Sequence, residues 1–174
     1  MGGSYANVDI DGTTKTITIS GNGNSYIITG ATTEYGVNVT GNNNRVLLKG
    51  VSIVSGGTPF CLSGPSLNGS MYTTEVYLAP GTRNFLKTEN ATPLQIIHGA
   101  NLKLYGGEVD NVAEPVSAYG DNGGGETYHY GRLTAVYTGS PMDLGAGIGA
   151  GSSLENKSVN NGSSGSIYIS GGSR

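Results

Sequence analysis

The chain has 174 residues, enough for one domain, with 31 Gly, abundant Ser, Thr and Asn, and 12% charged residues against a usual quarter. Its net charge of −3 and nine scattered Lys and Arg form no basic stripe, which excludes nucleic acid as a partner class. β-branched residues with little charge argue against disorder, the single cysteine excludes an internal disulfide framework, and no apolar run is long enough for membrane insertion.

In chain order, Met1 to Ser4 reads as an appended start, and a secreted parent protein would have lost its leader. Thr16 to Ser20 alternates apolar and polar residues, as a half-buried strand does. Gly21-Asn22-Gly23-Asn24 is turn chemistry, because Gly and Asn tolerate positive φ. Tyr26 to Thr29 and Gly36 to Thr40 are two further strands, and three short strands between Gly/Asn turns make one coil. A second coil runs through Val46, Val51 to Val54, and Phe60 to Leu62. A third runs through Val76 to Leu78, Asn84 to Leu86, and Leu94 to Ile97. A fourth runs through Leu102 to Leu104, Glu108 to Asp110, and Val116 to Ala118. A fifth opens at Leu133, and Ile167 to Gly172 begins a sixth. Nowhere do apolar residues recur at helical spacing, and glycine is too dense for a helix.

The coils repeat. Val46, Val76, Leu102 and Leu133 each open an apolar–x–apolar starter, 26 to 31 residues apart. Pro59, Pro93, Pro115 and Pro141 each precede a second such strand. A fixed period of this size points to a solenoid. The expected fold is therefore all-β: a right-handed parallel β-helix of five to six coils, each of three short strands, in one domain that is part of a longer repeat protein. Equivalent residues of successive coils would stack ~4.8 Å apart. One inward column would hold Ile17, Ile19, Val46, Leu48, Val76, Leu78, Leu102, Leu104, Leu133, Ala135, Ile167 and Ile169. A second would hold Phe60, Leu62, Leu94, Ile96, Val116, Ala118, Met142 and Leu144.

Several stretches resemble right-handed β-helix carbohydrate-binding and adhesin-like domains of bacterial cell-surface proteins. The rhythm of Leu48-Lys49-Gly50-Val51-Ser52-Ile53 and of Tyr77 to Leu86 carries the looser part of this resemblance. Gly131-Arg132-Leu133-Thr134-Ala135, Gly145-Ala146-Gly147-Ile148-Gly149 and Gly165-Ser166-Ile167-Tyr168-Ile169-Ser170-Gly171-Gly172 carry the closer part. Ala150 and Tyr168 depart from the pattern, where Gly and Thr are usual. The resemblance implies an extracellular, surface-attached β-helix and names no ligand.

Chemistry-bearing residues are few. Eleven Tyr and no Trp is an unusual aromatic balance. Tyr77 and Tyr105 fall on outward positions of neighbouring coils with Lys103 between them, and flat rings on a rigid sheet suit stacking against sugars. Tyr128 and Tyr130 flank a Gly-rich loop and form a second ligand patch, since loops on a rigid scaffold carry function. Glu108 and Asp110 at i, i+2 face one side of a strand and offer half of a calcium site. No other cofactor is expected. Asp9-x-Asp11-Gly12 has a calcium-like look but lacks the remaining EF-hand ligands. Cys61 reads as a packing residue. The expected role is non-catalytic adhesion to a glycan or host-surface ligand. A stalk or fibre segment that associates end to end, or a polysaccharide lyase or glycoside hydrolase, stands beside it.

Overall fold

A computed structural model describes residues 3–65, 70–97, 99–106, 131–139, 147–149 and 166–170. These residues form fourteen strands and no helix. The strands are β1 (Gly3–Tyr5), β2 (Val8–Asp11), β3 (Thr16–Ile19), β4 (Ser25–Thr32), β5 (Gly36–Val39), β6 (Asn44–Val54) and β7 (Phe60–Leu62), followed by β8 (Tyr72–Leu78), β9 (Arg83–Thr88), β10 (Leu94–Ile96), β11 (Ala100–Gly106), β12 (Arg132–Tyr137), β13 (Ile148–Gly149) and β14 (Ile167–Ser170).

From β3 to β8 the chain alternates between two curled sheets, and each return adds a strand parallel to the last. The first sheet runs β1-β2-β3-β5-β7-β10-β13, and only its β1-β2-β3 end is antiparallel. The second runs β12-β9-β6-β8-β11-β14, with β4 also beside β6. Strand β6 is long because it serves two walls. Its first half pairs with β8, and its second half pairs with β9. Gly50, at φ 66°, makes the bend between the halves, and there the register against β4 jumps from Thr29–Lys49 to Gly30–Val51. A left-handed residue inserted into one strand is a bulge, which glycine forms without strain.

Alternation directs the core. In β6 the pattern Asn44, Val46, Leu48 is buried while Arg45 and Lys49 are exposed, and β8 and β11 repeat it. Val46, Phe60, Val76, Leu86 and Ile96 are fully buried. Fully burying such a side chain contributes roughly 1.5–3 kcal/mol, and stacking places each against its counterparts above and below.

Several expected columns differ in detail. Phe60 and Leu62 pair with Leu94 and Ile96 as anticipated. Ile17 and Ile19 belong to that same wall, since they pair with Val37 and Val39. Val76 lies opposite Leu104, two residues from the expected register, with Thr74 opposite Leu102. Leu133 and Ala135 extend the Asn84–Leu86 wall rather than the Val46 wall. The β11 shift preserves the inward set, because a slip of two residues leaves every side chain on its face, and Leu133 and Ala135 stay inward because they pair with the buried Asn84 and Leu86. The proline slot holds for two rungs: the carbonyls of Pro59 and Pro93 accept from the amides of Val37 and Phe60. In the next rung Gly147 takes that place, accepting from Leu94. Pro115 and Pro141 lie outside the described residues.

Asparagine amides tie successive strands and turns together. Asn44 is fully buried; its Nδ2 donates to the Gly21 carbonyl at 2.5 Å, and its Oδ1 accepts from the Asn24 amide at 3.1 Å. Asn84 is equally buried; its Oδ1 accepts from the Val51 amide at 3.0 Å, and its Nδ2 donates to the Arg132 carbonyl at 3.0 Å. Asn42 and Asn101 do the same at one corner, accepting from the amides of Thr73 and Ser166. Close approach of two backbone segments leaves no room for a side chain at Gly41, where a Cβ would sit 1.8 Å from the Gly21 carbonyl oxygen.

Replacing Asn84 with leucine, which has similar volume, leaves the Val51 amide and the Arg132 carbonyl unpaired in the interior. The expected loss is roughly 2–6 kcal/mol at about 1–3 kcal/mol per stranded group. Urea denaturation of Asn84→Leu beside Asn90→Leu, at an exposed asparagine, measures it; equal midpoints would show that the amide ties carry no stability.

Candidate functional site

The outward face of the second sheet carries the most chemistry among the described residues. In-register stacking sorts its side chains into two columns. One reads Ile27, Leu47, Tyr77, Tyr105, and the other reads Ser25, Arg45, Glu75, Lys103, Tyr168.

The first column is an aromatic ridge. Tyr77 and Tyr105 are half-buried and stack with ring centroids 4.9 Å apart and planes 20° apart. The separation matches the spacing of neighbouring strands. Each ring therefore uses one face on the other. The ridge presents ring edges and rims more than open faces. Tyr168 turns 61° to Tyr105 at 6.3 Å and is 55% exposed, so it supplies the open aromatic surface.

The second column is a charge network centred on Glu75. Its Oε2 accepts from the Tyr77 hydroxyl at 2.9 Å and from Arg45 Nε at 3.2 Å, and Lys103 Nζ lies 3.7 Å from Oε1. The Tyr77 bond, followed by Arg45 and Lys103, holds the Glu75 carboxyl below its ordinary value of 4.5. Burial, and then the neighbouring carboxylate, push the Tyr77 phenol up. Glu75 is thus an anion and Tyr77 a neutral donor at neutral pH. The two columns are joined, because the carboxylate that orients Arg45 also fixes the Tyr77 hydroxyl.

Beside the ridge lies an open groove of about 390 Å³ lined by Gly23, Ser25, Asn43, Arg45, Thr73, Glu75 and Lys103. Its walls are polar and carry both signs of charge. Three cations, Arg45, Lys49 and Lys103, project from this face against one acid, Glu75, whereas the whole chain has nine basic and twelve acidic residues.

Of the expected ligand residues, Tyr77, Lys103 and Tyr105 come together here. Lys103 sits beside Glu75, not between the rings, because of the two-residue register shift. Tyr128, Tyr130, Glu108 and Asp110 lie outside the described residues. Among the described residues no group of three or more His, Cys, Asp and Glu side chains converges. Asp11 caps a turn, accepting from the amide and hydroxyl of Thr14 and from the amide of Thr13. Cys61 is buried, and desolvation pushes its thiol up to about 12, which suits packing and not nucleophilic attack. Arg45, Glu75 and Tyr168 are additions to the expected set. Arg45 and Glu75 stood at a strand start and the end of a loop in the sequence, and only the pairing of β6 with β8 brings them together.

Comparison with protein families, curated proteins and solved structures finds no match to this chain.

The lowered Glu75 value has a consequence with a definite sign. A carboxylate with a depressed folded value adds stability above its unfolded value and loses that contribution as pH falls through the folded one. Glu75→Gln is therefore less stable than the parent above about pH 4.5, the ordinary value. The gap closes on further acidification. Thermal melts of both proteins across the acid range check this; a gap constant with pH would remove the charge network from the stability of this face.

Proposed function

We propose that this chain is a non-catalytic, extracellular adhesion module that binds a glycan along the groove, and that its curled parallel sheets are coils of a right-handed β-helix in a longer surface protein. The observation that carries the reading is the Tyr77–Tyr105 stack standing directly beside the Arg45–Glu75–Lys103 groove. Sugars have apolar C–H faces and rims of hydroxyls. They suit a site with an aromatic wall on one side and fixed donors and acceptors on the other. Glu75 accepts, Arg45 and Lys103 donate, and Tyr168 offers a ring for stacking. The sheet beneath holds all of them at strand spacing, so little ordering entropy is left to spend on binding.

Binding is favoured over cleavage by the charge inventory of the groove. Glycosidic hydrolysis uses two carboxyl groups, one of them protonated. The described groove lining contains one carboxylate, and its neighbours keep it ionised.

A second reading, end-to-end assembly into a stalk or fibre, draws on a different observation. Among the described strands, β4 and β14 are outer members of their parallel ladder, and Ile27 on β4 and Ile169 on β14 are 68% and 60% exposed. Open strand edges with apolar side chains favour pairing with another chain.

A glycan array probed with the parent chain and with a Tyr77→Ala/Tyr105→Ala double variant tests the first reading. Removing the ridge is expected to weaken every glycan bound by the parent by on the order of ten-fold or more, at about 1–3 kcal/mol for a stacking contact of this size. Unchanged binding would dismiss the ridge. Glycan silence in the parent, together with concentration-dependent rods in sedimentation, would move the assignment to assembly.

A further inference from the structure

We infer that the groove selects a sugar bearing a carboxylate, an inference that rests on the glycan-binding reading and narrows it. Three observations lead there. First, the local charge opposes that of the chain: Arg45 and Lys103 flank a single acid, Glu75, in the groove, on a protein whose net charge is −3. Second, that acid is engaged through one oxygen, which leaves the other open. Glu75 takes the Tyr77 hydroxyl and Arg45 Nε on one oxygen. Third, the cations retain donors. Arg45 engages Glu75 through Nε alone, lines the groove, and has a side chain that is 68% exposed. Lys103 Nζ, at 3.7 Å from Glu75 Oε1, is beyond hydrogen-bonding distance, and its side chain is 45% exposed. A cation held near a carboxylate but not bonded to it is placed, charged and open. Arg45 and Lys103 lie on the two strands that flank β8, so they stand about two strand spacings, ~10 Å, apart at the backbone. Both line the same groove. A sugar carboxylate at Arg45 or Lys103 would accept from that cation, while its ring hydroxyls reach Glu75, Ser25 and Thr73 and its apolar face lies toward the tyrosine ridge.

Calorimetry with a short oligogalacturonate, and with the same oligosaccharide fully methyl-esterified, isolates the carboxylate, since the two forms differ only in that charge. The acid is expected to bind on the order of ten-fold tighter at low salt, with the preference shrinking as ionic strength rises. Lys103→Gln and Arg45→Gln keep side-chain donors but lose the charge. Each is expected to weaken the acid several-fold and the ester by a smaller factor, and the double variant brings acid and ester level. Far-ultraviolet circular dichroism confirms that these exposed changes leave the fold in place. Equal binding of acid and ester by the parent overturns the inference, as does an acid preference that survives in the double variant. A parent that binds neither form yet holds a neutral glycan on the Tyr77–Tyr105 ridge overturns the inference alone. A parent that binds no glycan overturns the glycan-binding reading with it.

Discussion

In-register parallel pairing is the constraint on which the rest of this structure depends. Once Val46 lies opposite Val76 and Val76 opposite Leu104, every other position on those strands has its neighbours chosen. The inward set becomes a continuous apolar column, and the outward set becomes rows of like or complementary groups at strand spacing. The pairing itself is secured by more than backbone bonds. Asn22, Asn42, Asn44, Asn84 and Asn101 each accept from a backbone amide that follows or precedes them by twenty or more residues. These amide ties sit at strand starts and corners, where ladder bonds run out. They convert positions that would leave buried polar groups unpaired into fixed registers.

The consequence for the outer face is rigidity at little entropic cost. Tyr77 is packed by Tyr105 on one face and bonded through its hydroxyl to Glu75, and Glu75 is held in turn by Arg45. Few rotamers remain open to any of the three. A ligand that docks here meets groups already aimed, which is how a shallow site gains useful affinity. Among the described residues the interior between the sheets is filled by side chains such as Phe60 and Leu86, so the proposed recognition falls on an outer face.

The sequence made the coarse architecture legible because its signals are local and periodic. Strand–turn alternation and the Pro59/Pro93 slot mark β7 and β10. The apolar–x–apolar starters mark β6, β8, β11 and β14. Register was illegible for a physical reason: moving β11 by two residues against β8 exchanges Leu102 for Leu104 opposite Val76 and costs no burial, so periodicity is blind to it. The choice is made by buried polar positions such as Thr74 and Asn44, and the sequence shows these only as ordinary strand-start residues. The site inherits the same limit. Tyr77 and Tyr105 were visible as outward aromatics. The Arg45–Glu75–Lys103 row depends on the pairing of residues up to 58 positions apart and emerges only from the ladder. Leu133 was misplaced because its starter motif is identical to those of the other wall, whereas its strand pairs with β9.

Stability alone does not account for the charge arrangement on this face. Exposed ion pairs are worth about 0–1 kcal/mol each, and at 68% exposure Arg45 gains little from Glu75. Opposite charges on neighbouring strands are favourable, and Arg45, Glu75 and Lys103 do alternate in sign along the row. Yet Lys103 stops 3.7 Å from the Glu75 oxygen, short of the bond it could make. The acid prevents the two flanking cations from repelling across β8, orients one of them, and ties the row to the ridge through Tyr77. An arrangement that organises positive charge without consuming it has little structural value. It has a large one for holding an anionic group against an aromatic wall, where partial exclusion of water strengthens each charge-assisted bond.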